Sequence, residues 1–257
     1  MTRVLVVGAG GRMGESLVRQ IADSLDLELG AALEHATHPR LGQELAPGVK
    51  LGSDPAAACA HADVAVDFSS PSSTLALLDA AEARGLPVVI GTTGLGADGE
   101  RRIARAAERI AIVRAANFSM GIAVLLDLVA EAARRLGDYE IEVLELHHNQ
   151  KLDAPSGTAL SLARAAAAAR GQDLPQQAVY HREGLTGKRR HDEIGLQSLR
   201  LADTVGEHIV FLAGAGERLE LAHRAFSREN FAVGALRAAR WLVGRPPGLY
   251  AMRDVLS

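Results

Sequence analysis

The fold of this 257-residue chain is decided by the segment Val4-Leu5-Val6-Val7-Gly8-Ala9-Gly10-Gly11-Arg12-Met13-Gly14. Its first four residues are apolar, which is typical of a strand buried on both faces. Apolar residues then recur at helical spacing over residues 11–24, directly after the first glycines. A strand, a glycine-rich turn and a helix in this order predict a dinucleotide-binding turn.

The glycines of this turn have the spacing Gly8-x-Gly10-x-x-x-Gly14, one residue longer than the usual G-x-G-x-x-G pattern. Glycine allows the turn to be tight, the backbone to approach a pyrophosphate and the helix to pack close to the strand. Glu34 follows 20 residues after Gly14 and ends the next predicted strand, where its carboxylate can accept hydrogen bonds from ribose hydroxyls. The alternative is an ordinary glycine-rich turn with an unrelated surface glutamate.

Strands and helices continue to alternate up to residue 118. The predicted strands are 27–33, 64–68, 87–90 and 110–113, and the predicted helices between them are 72–84 and 97–109. Such alternation indicates parallel β-α-β units, so we predict an α/β fold with a Rossmann-type doubly wound parallel sheet. Two later turns, 91–94 and 115–118, then fall at the carboxyl ends of strands, where such sheets bind ligands, although each taken alone is equally well explained as a simple turn.

The pattern changes near residue 119. It predicts a longer helix at 119–136, a strand at 141–147 and a helix from Pro155 to about Arg170. Four strand-like runs follow, at 178–181, 194–201, 208–213 and 218–226, before a final helix at 230–243. Because no long helix separates these runs, we predict a second, α+β unit with a mixed or antiparallel sheet.

Composition argues against several classes of partner. The formal net charge is −3 and aromatic residues make up 4% of the chain, so no basic or base-stacking surface for nucleic acid is expected. No apolar run approaches the ~18 residues of a membrane span. The one cysteine, Cys59, forms no intrachain disulfide, and the first residues have no signal-peptide pattern. We therefore expect a cytoplasmic protein without a membrane or nucleic-acid partner.

Segment 145–159 concentrates the chemically active side chains. Two adjacent histidines end a predicted strand, Lys151 follows them, and Ser156 is a favourable N-cap for the next helix. The free N–H groups of that helix start and the charge of Lys151 suit a small carboxylate, although a capped surface helix after a charged loop explains the pattern equally well. No metal site is predicted, because no cysteine or further histidine has ligand spacing nearby.

One motif of this segment is His147-His148-x-x-Lys151-x-Asp153-Ala154-Pro155-Ser156-Gly157-Thr158. The other motifs are Gly8 to Gly14, Gly91-Thr92-Thr93-Gly94, Ala115-Ala116-Asn117-Phe118-Ser119, Arg182-Glu183-Gly184, Val205-Gly206-Glu207-His208 and Met252 to Leu256. In order and over nearly the whole chain, they resemble the 4-hydroxy-tetrahydrodipicolinate reductases, once called dihydrodipicolinate reductases. The histidine–lysine motif is the specific one, since the glycine turn alone would not identify the family.

The resemblance implies a two-domain enzyme. Residues 1–118 and 228–257 would form the dinucleotide-binding domain, and residues 119–227 a domain that binds substrate and builds a homotetramer. The implied reaction is the reduction of 4-hydroxy-tetrahydrodipicolinate, a small dicarboxylate, in diaminopimelate and lysine biosynthesis. Hydride would come from NADH or NADPH, and water would be lost from the substrate.

Motif by motif, the resemblance also implies roles for single residues. His147 would be the proton donor/acceptor and Lys151 a second proton donor, since an imidazole is suited to proton transfer near neutral pH. The substrate would contact His148, Ser156, Gly157 and Thr158. The cofactor would contact Gly8, Ala9, Gly10, Gly11, Arg12, Met13, Glu34, His35, Gly91, Thr92, Thr93, Ala115, Ala116, Asn117 and Phe118.

Two other functions compete with this interpretation. One is another NAD(P)-dependent oxidoreductase of Rossmann plan that acts on a small carboxylate, such as an amino-acid or semialdehyde dehydrogenase. A semialdehyde dehydrogenase requires a catalytic cysteine, and Cys59 lies in the wrong place for that role. The other is a non-catalytic NAD-binding sensor, which has no chemical need for both His147 and Lys151 beside a helix start.

Cofactor choice gives a first prediction, because the chain departs from the family at two positions. His35 stands where many members have arginine, and Ser70 where many have a basic residue. Glu34 favours a free ribose diol and repels a 2′-phosphate, and an imidazole offsets that repulsion only when it is protonated. We predict that NADH serves at least as well as NADPH, and that NADPH use improves toward about pH 6.

The measurement is the KM for each cofactor at about pH 6 and about pH 8. His35→Arg should shift the preference toward NADPH through affinity more than through turnover, because a guanidinium is always charged. A strong, pH-independent preference of the unmodified protein for NADPH would contradict the prediction and would point to Arg40 or Arg12 as the phosphate ligand.

Overall fold

The glycine-rich turn follows strand β1 (Thr2–Val7), which lies between β2 (Leu27–Leu33) and β5 (Val64–Asp67) in an eight-stranded sheet. The structure is a computed structural model and describes residues 1–257. The chain divides into two units, Met1–Phe118 with Glu229–Ser257, and Ser119–Arg228.

The first unit alternates strands with helices. Its other strands are β3 (Glu44–Ala46), β4 (Val49–Gly52), β6 (Val88–Ile90), β7 (Ala111–Arg114) and β13 (Gly248–Tyr250). Its helices are α1 (Arg12–Ala22), α2 (Pro55–Cys59), α3 (Pro71–Arg84), α4 (Gly96–Ala106), α8 (Glu229–Leu242) and α9 (Met252–Leu256). The strand order is β13-β7-β6-β5-β1-β2-β4-β3, and the pairs are parallel except β3 with β4. The predicted doubly wound α/β fold is confirmed.

The register of the parallel strands brings their carboxyl ends to one edge of this sheet. Val7 on β1 pairs with Asp67 on β5, and Asp67 pairs with Ile90 on β6. Ile90 in turn pairs with Arg114 on β7. The turns that begin at residues 8, 68, 91 and 115 therefore lie side by side, as expected of a doubly wound sheet.

The chain returns to the first unit through α8. Arg19 on α1 forms an ion pair with Glu229 at 2.8 Å. The α8 backbone also packs very close to the end of segment 1–118, since a Cβ built on Gly234 would lie 1.8 Å from the carbonyl oxygen of Phe118. A glycine at this position is therefore a packing requirement.

The second unit is built on a five-stranded mixed sheet, in the order β12-β11-β8-β10-β9. Its strands are β8 (Glu140–His147), β9 (Ala178–Val179), β10 (Ile194–Arg200), β11 (Gly206–Gly214) and β12 (Glu217–Ala225), and its helices are α5 (Met120–Arg135), α6 (Gly157–Ala169) and α7 (Leu174–Gln177). β8 pairs in parallel with β10 and antiparallel with β11. Apolar residues of α5 and α6 pack with Ile141, Val143 and Val210 of the sheet in one core. The predicted α+β unit is confirmed.

Several short elements were not predicted from the sequence, namely β3, β4, β13, α2, α7 and α9. Each has only three to five residues, too few to show a strand or helix periodicity. The helix predicted from Pro155 begins two residues later, at Gly157, because Ser156 is its N-cap. None of the helices combines the length and apolar character needed to span a bilayer.

The close contact at Gly234 gives a stability prediction. Gly234→Ala should lower the melting temperature, because the new Cβ meets backbone that cannot move aside. Overpacking typically costs ~1–3 kcal/mol, which exceeds the roughly 1 kcal/mol gained from the higher helix propensity of alanine. Gly137→Ala is the control, since no atom lies within 4 Å of a Cβ built there. An unchanged melting temperature for Gly234→Ala would contradict the packing argument.

Candidate active site

The turn after β1 has the backbone geometry that an anionic ligand requires. Gly8 has φ +79°, in the left-handed region that favours glycine. A Cβ on Gly14 would lie 2.1 Å from the carbonyl oxygen of Gly8, so helix and strand can pack this closely only with glycine at 14. Gly11 is the N-cap of α1 and provides no side-chain hydrogen bond to the helix start. The first-turn N–H groups of α1 therefore have no side-chain cap and can bind phosphate.

Glu34 lies directly beside this turn. Its Oε1 accepts a hydrogen bond from the N–H of Gly10 at 3.1 Å, and its Oε2 accepts one from the N–H of His35 at 3.2 Å. The ring of His38 covers Gly10, since a Cβ on Gly10 would come within 2.5 Å of His38 Cε1. Arg40 forms an ion pair with Glu15 at 2.5 Å. The glycine turn therefore has the predicted cofactor residue Glu34 beside it, together with His38 and Arg40.

Ligand atoms of Glu34, His35 and His38 lie within 4.8 Å of one another, an arrangement that could hold a metal ion. Sequence analysis predicted no metal site. Glu34 and His38 lie against Gly10 of the glycine turn, and Glu34 is already hydrogen-bonded to its backbone. We therefore interpret the group as part of the glycine turn.

The predicted cofactor residues of the two later turns differ in whether their side chains are buried. Gly91, Thr93, Ala115, Ala116 and Asn117 follow β6 and β7 at the edge that also carries the glycine turn.

Two predicted cofactor residues in these turns have buried side chains instead. Thr92 is 3% exposed, and its Oγ1 accepts a hydrogen bond from the N–H of Ser69 at 3.0 Å. Phe118 is 1% exposed and packs edge-on against Phe68, with ring centroids 5.4 Å apart. These two side chains support the loops, so only their backbone groups could face a cofactor.

Asp67, a fully buried residue not predicted as part of any site, organises this edge. It accepts hydrogen bonds from Thr74 Oγ1 at 2.5 Å and from the N–H of Ser69 at 3.0 Å. Burial raises the pKa of Asp67 despite these bonds. The carboxyl group fixes the loop after β5 next to the glycine turn.

In the second unit, His147 at the end of β8 is bound to a buried carboxylate. Its Nδ1 lies 2.5 Å from Oε2 of Glu145, which has no exposed surface. Arg200, which pairs with His147 in the β8–β10 register, donates to both oxygens of Glu145 at 3.0–3.1 Å. Burial acts to raise the pKa of Glu145, but hydrogen bonds from His147, Arg200 and Ser198 outweigh it and lower the pKa to about 2.

A second imidazole, that of His208 on β11, lies against His147. The ring centroids are 5.2 Å apart, and His208 Nε2 lies 3.1 Å from Ser156 Oγ. Burial, followed by the effect of His147, lowers the pKa of His208 to about 3. His208 is therefore neutral at physiological pH and serves Ser156 as a hydrogen-bonding partner.

The predicted substrate residues lie on the loop after β8 and at the start of α6. Ser156 is the N-cap of α6, because its Oγ accepts a hydrogen bond from the N–H of Ala159 at 3.1 Å. Gly157 is exposed, and no atom lies within 4 Å of a Cβ built there. Lys151 is mostly buried and binds Asp153 at 2.7 Å, and this hydrogen bond lowers the pKa of Asp153. Half-buried His148 accepts, through its carbonyl, a bond from the Lys151 N–H.

Sequence reasoning missed three members of this cluster: Glu145, Arg200 and His208. One of them left a local signal, since Glu145 lies two residues before His147 and therefore points to the same face of the strand. Arg200 left none, and His208 appeared only as the end of the motif Val205–His208, because strand pairing of β8 with β10 and β11 is what brings both residues to Glu145. Cys59, in contrast, is an inert core residue, and burial raises the pKa of its thiol to about 11.

The glycine turn on a doubly wound sheet places the chain in the class of Rossmann-type dinucleotide-binding proteins, and its second unit carries a histidine, a lysine and a capped helix start. The family comparisons narrow this class. The model described as "Dihydrodipicolinate reductase, N-terminus" matches residues 2–118, and "Dihydrodipicolinate reductase, C-terminus" matches residues 121–256. The chain therefore belongs to the dihydrodipicolinate reductase family, and the resemblance seen in its motifs is confirmed.

Similar proteins agree over the full length. A 4-hydroxy-tetrahydrodipicolinate reductase of Thiobacillus denitrificans is 48% identical, over 99% of this chain and 98% of that protein. One from Anaeromyxobacter dehalogenans is 46% identical, over 100% and 98%. Among solved structures, the dipicolinate-bound dihydrodipicolinate reductase from Paenisporosarcina has a TM-score of 0.79 at 24% identity, covering 98% of this chain and 97% of that one. The last likeness is one of fold.

The low pKa of Glu145 gives a prediction about stability and pH. The pKa of Glu145 is about 2 in the folded protein, against an ordinary value of 4.5. Glu145 therefore stabilises the fold above about pH 5, and this contribution is lost as the pH falls toward 2. The shift corresponds to about 3 kcal/mol. Glu145→Gln should therefore lower the free energy of unfolding at neutral pH and flatten its decline between about pH 5 and pH 2. Urea titrations at several pH values measure this, with the exposed Glu108→Gln as control; an unaltered acid profile would contradict it.

Proposed function

We propose that this chain reduces 4-hydroxy-tetrahydrodipicolinate to tetrahydrodipicolinate, with loss of water, in diaminopimelate and lysine biosynthesis. The observation that carries the proposal is the cluster in the second unit, where Glu145 joins His147 at the end of β8 to Ser156 at the start of α6, with Lys151 on the loop between them. Family membership supports the same reaction, since the full-length relatives are named for it.

We assign cofactor binding to residues 1–118 and 228–257, and substrate binding to residues 119–227. The glycine turn fits a dinucleotide, because Gly8 and Gly14 permit its shape and the start of α1 lacks a side-chain cap. NAD(P)H, when bound, supplies the hydride. Glu34 is placed to accept hydrogen bonds from the ribose, with His35 beside it, and the loops at 91–93 and 115–118 would line the same edge.

The substrate carries two carboxylates, and the second unit has matching groups. The N–H groups of Gly157 and Thr158 start α6, where the helix dipole attracts an anion. Lys151 adds a positive charge, and His148 and Ser156 flank the same loop. The solved relative from Paenisporosarcina is described as dipicolinate-bound, and dipicolinate is a planar dicarboxylate of this class. We propose that one substrate carboxylate binds at the start of α6.

Loss of water from the substrate leaves a cyclic, conjugated imine, and reduction of this imine by hydride also needs a proton. His147 is suited to donate it, because it is part-buried and its ring is held by Glu145. Lys151 is the second donor in this proposal. Asp153 holds its ammonium group on the loop that leads to the helix start. In this position Lys151 would pair with a substrate carboxylate and supply a proton.

We further propose that the chain works in the cytoplasm as a homotetramer. Apolar side chains at the end of β10 and on the edge strand β12 are exposed: Leu199 by 44%, Leu201 by 47% and Leu219 by 40%. Apolar surface of this kind favours contact with another protein surface. Gel filtration with light scattering tests the assembly, and a monomer would contradict it.

The catalytic assignment is tested by two substitutions. His147→Gln should lower kcat about 10²–10⁴-fold, because general acid–base groups contribute that much, and should leave the KM for NADH nearly unchanged. Lys151→Ala should lower kcat and also weaken binding of substrate and of dipicolinate. The exposed Lys188→Ala is the control. The assay follows the loss of NAD(P)H absorbance with substrate generated in situ, and near-normal turnover in both variants would refute the assignment.

A further inference from the structure

Glu145 is the buried carboxylate that holds the ring of His147, and it has a second contact in the same site. Its two oxygens join the two halves of the proposed substrate site. Oε2 accepts from His147 Nδ1 at 2.5 Å, and Oε1 accepts from the N–H of Ser156, the N-cap of α6, at 3.2 Å. One side chain therefore contacts both the proposed proton donor and the proposed carboxylate anchor.

Arg200 compensates for the loss of hydration when the Glu145 carboxylate is buried. Its guanidinium donates to Oε1 and Oε2 of Glu145 at 3.0–3.1 Å, and its Nη2 also donates to the carbonyl of Asp153 at 2.7 Å. A buried carboxylate without a cation would be costly and would take up a proton instead. With Arg200 in place, Glu145 remains ionised at neutral pH, and its low pKa agrees with this.

An ionised carboxylate can only accept hydrogen bonds. The short contact with Glu145 therefore requires the proton on Nδ1 of His147, so that Nε2 is the atom that exchanges a proton. The other groups around the ring do not oppose this. His208 is neutral and lies edge-on, Arg200 is bound to Glu145, and Gly206 leaves room at Nε2, where a Cβ would come within 3.0 Å.

We propose that Glu145 is a positioning residue for the reduction: held by Arg200, it fixes the tautomer and orientation of His147 and ties that ring to the start of α6. In serine proteases, a buried carboxylate orients the catalytic histidine in the same way. Replacing that carboxylate by an amide leaves the site geometry intact but selects the wrong tautomer, and turnover falls strongly. The inference rests on the proposed role of His147 as proton donor.

Glu145→Gln tests this, because the amide keeps the size of the side chain. Arg200 would bind the amide oxygen, which turns the NH₂ group toward Nδ1 and selects the opposite tautomer. We expect kcat to fall about 10²–10⁴-fold with the KM for NADH unchanged. Nitrogen-15 NMR of the His147 ring should show the proton on Nδ1 in the unmodified protein and on Nε2 in the variant.

Two further variants separate positioning from a structural role. Glu142→Gln is the matched control, since Glu142 lies on the same strand and binds Arg182 at 2.7 Å without contacting His147; it should keep normal turnover and tautomer. Glu145→Asp keeps the charge and should restore part of the lost kcat. The double variant Glu145→Gln/His147→Gln should be no slower than His147→Gln alone, because Glu145 acts through His147.

The outcomes are distinguishable. If His147→Gln retains normal turnover, the proposed proton donor is wrong, whereas the NMR tautomer still reports whether Glu145 orients the ring. If His147→Gln is inactive while folded Glu145→Gln keeps kcat within threefold, or if the tautomer does not change, the positioning role is overturned. An equal loss in Glu142→Gln would also overturn it, since the effect would then follow from removing any ion pair of this strand.

Discussion

Two fully buried carboxylates, Asp67 and Glu145, hold the loops on which the proposed site of each unit is built. Each lies at or near the carboxyl end of a strand in the middle of its sheet. Burying a carboxylate is unfavourable unless its oxygens are bonded, so the groups that satisfy it are held in fixed positions. Asp67 fixes the loop next to the glycine turn, and Glu145 fixes His147 and the start of α6.

The partners of the two carboxylates differ, and so do the consequences. Asp67 is satisfied by hydroxyl and backbone groups such as those of Ser69 and Thr74, and burial raises its pKa. Glu145 is satisfied by the cation of Arg200, and its pKa is low. The first carboxylate is thus a structural feature of a loop. The second keeps a full negative charge beside an imidazole, where it can control proton exchange.

This difference agrees with the tasks that we propose for the two units. Binding a dinucleotide depends on backbone N–H groups and on close approach, which glycines such as Gly8 and Gly14 permit. Proton transfer depends on titratable side chains held in one orientation and partly removed from water. His147 and Lys151 meet that requirement because each is bonded to a carboxylate, Glu145 and Asp153 respectively.

The sequence by itself determined the alternation of strands and helices, the glycine turn, the change at residue 119 and the motif that identifies the family. These features are local, since a strand, a helix start or a tight turn depends on residues a few positions apart. Most predicted boundaries agree with the structure within a few residues, although elements of three to five residues were missed because they are too short to show a period.

Only the tertiary structure decided which side chains meet. Arg200 and His208 lie 55 and 52 residues from their partners Glu145 and Ser156, and strand pairing brings them there. It also buried the side chains of Thr92 and Phe118, so that only the backbone groups of these two residues are open to the predicted cofactor contact. Sequence patterns report which face a residue occupies within its own element, whereas contact between elements depends on register and burial, which no local pattern encodes.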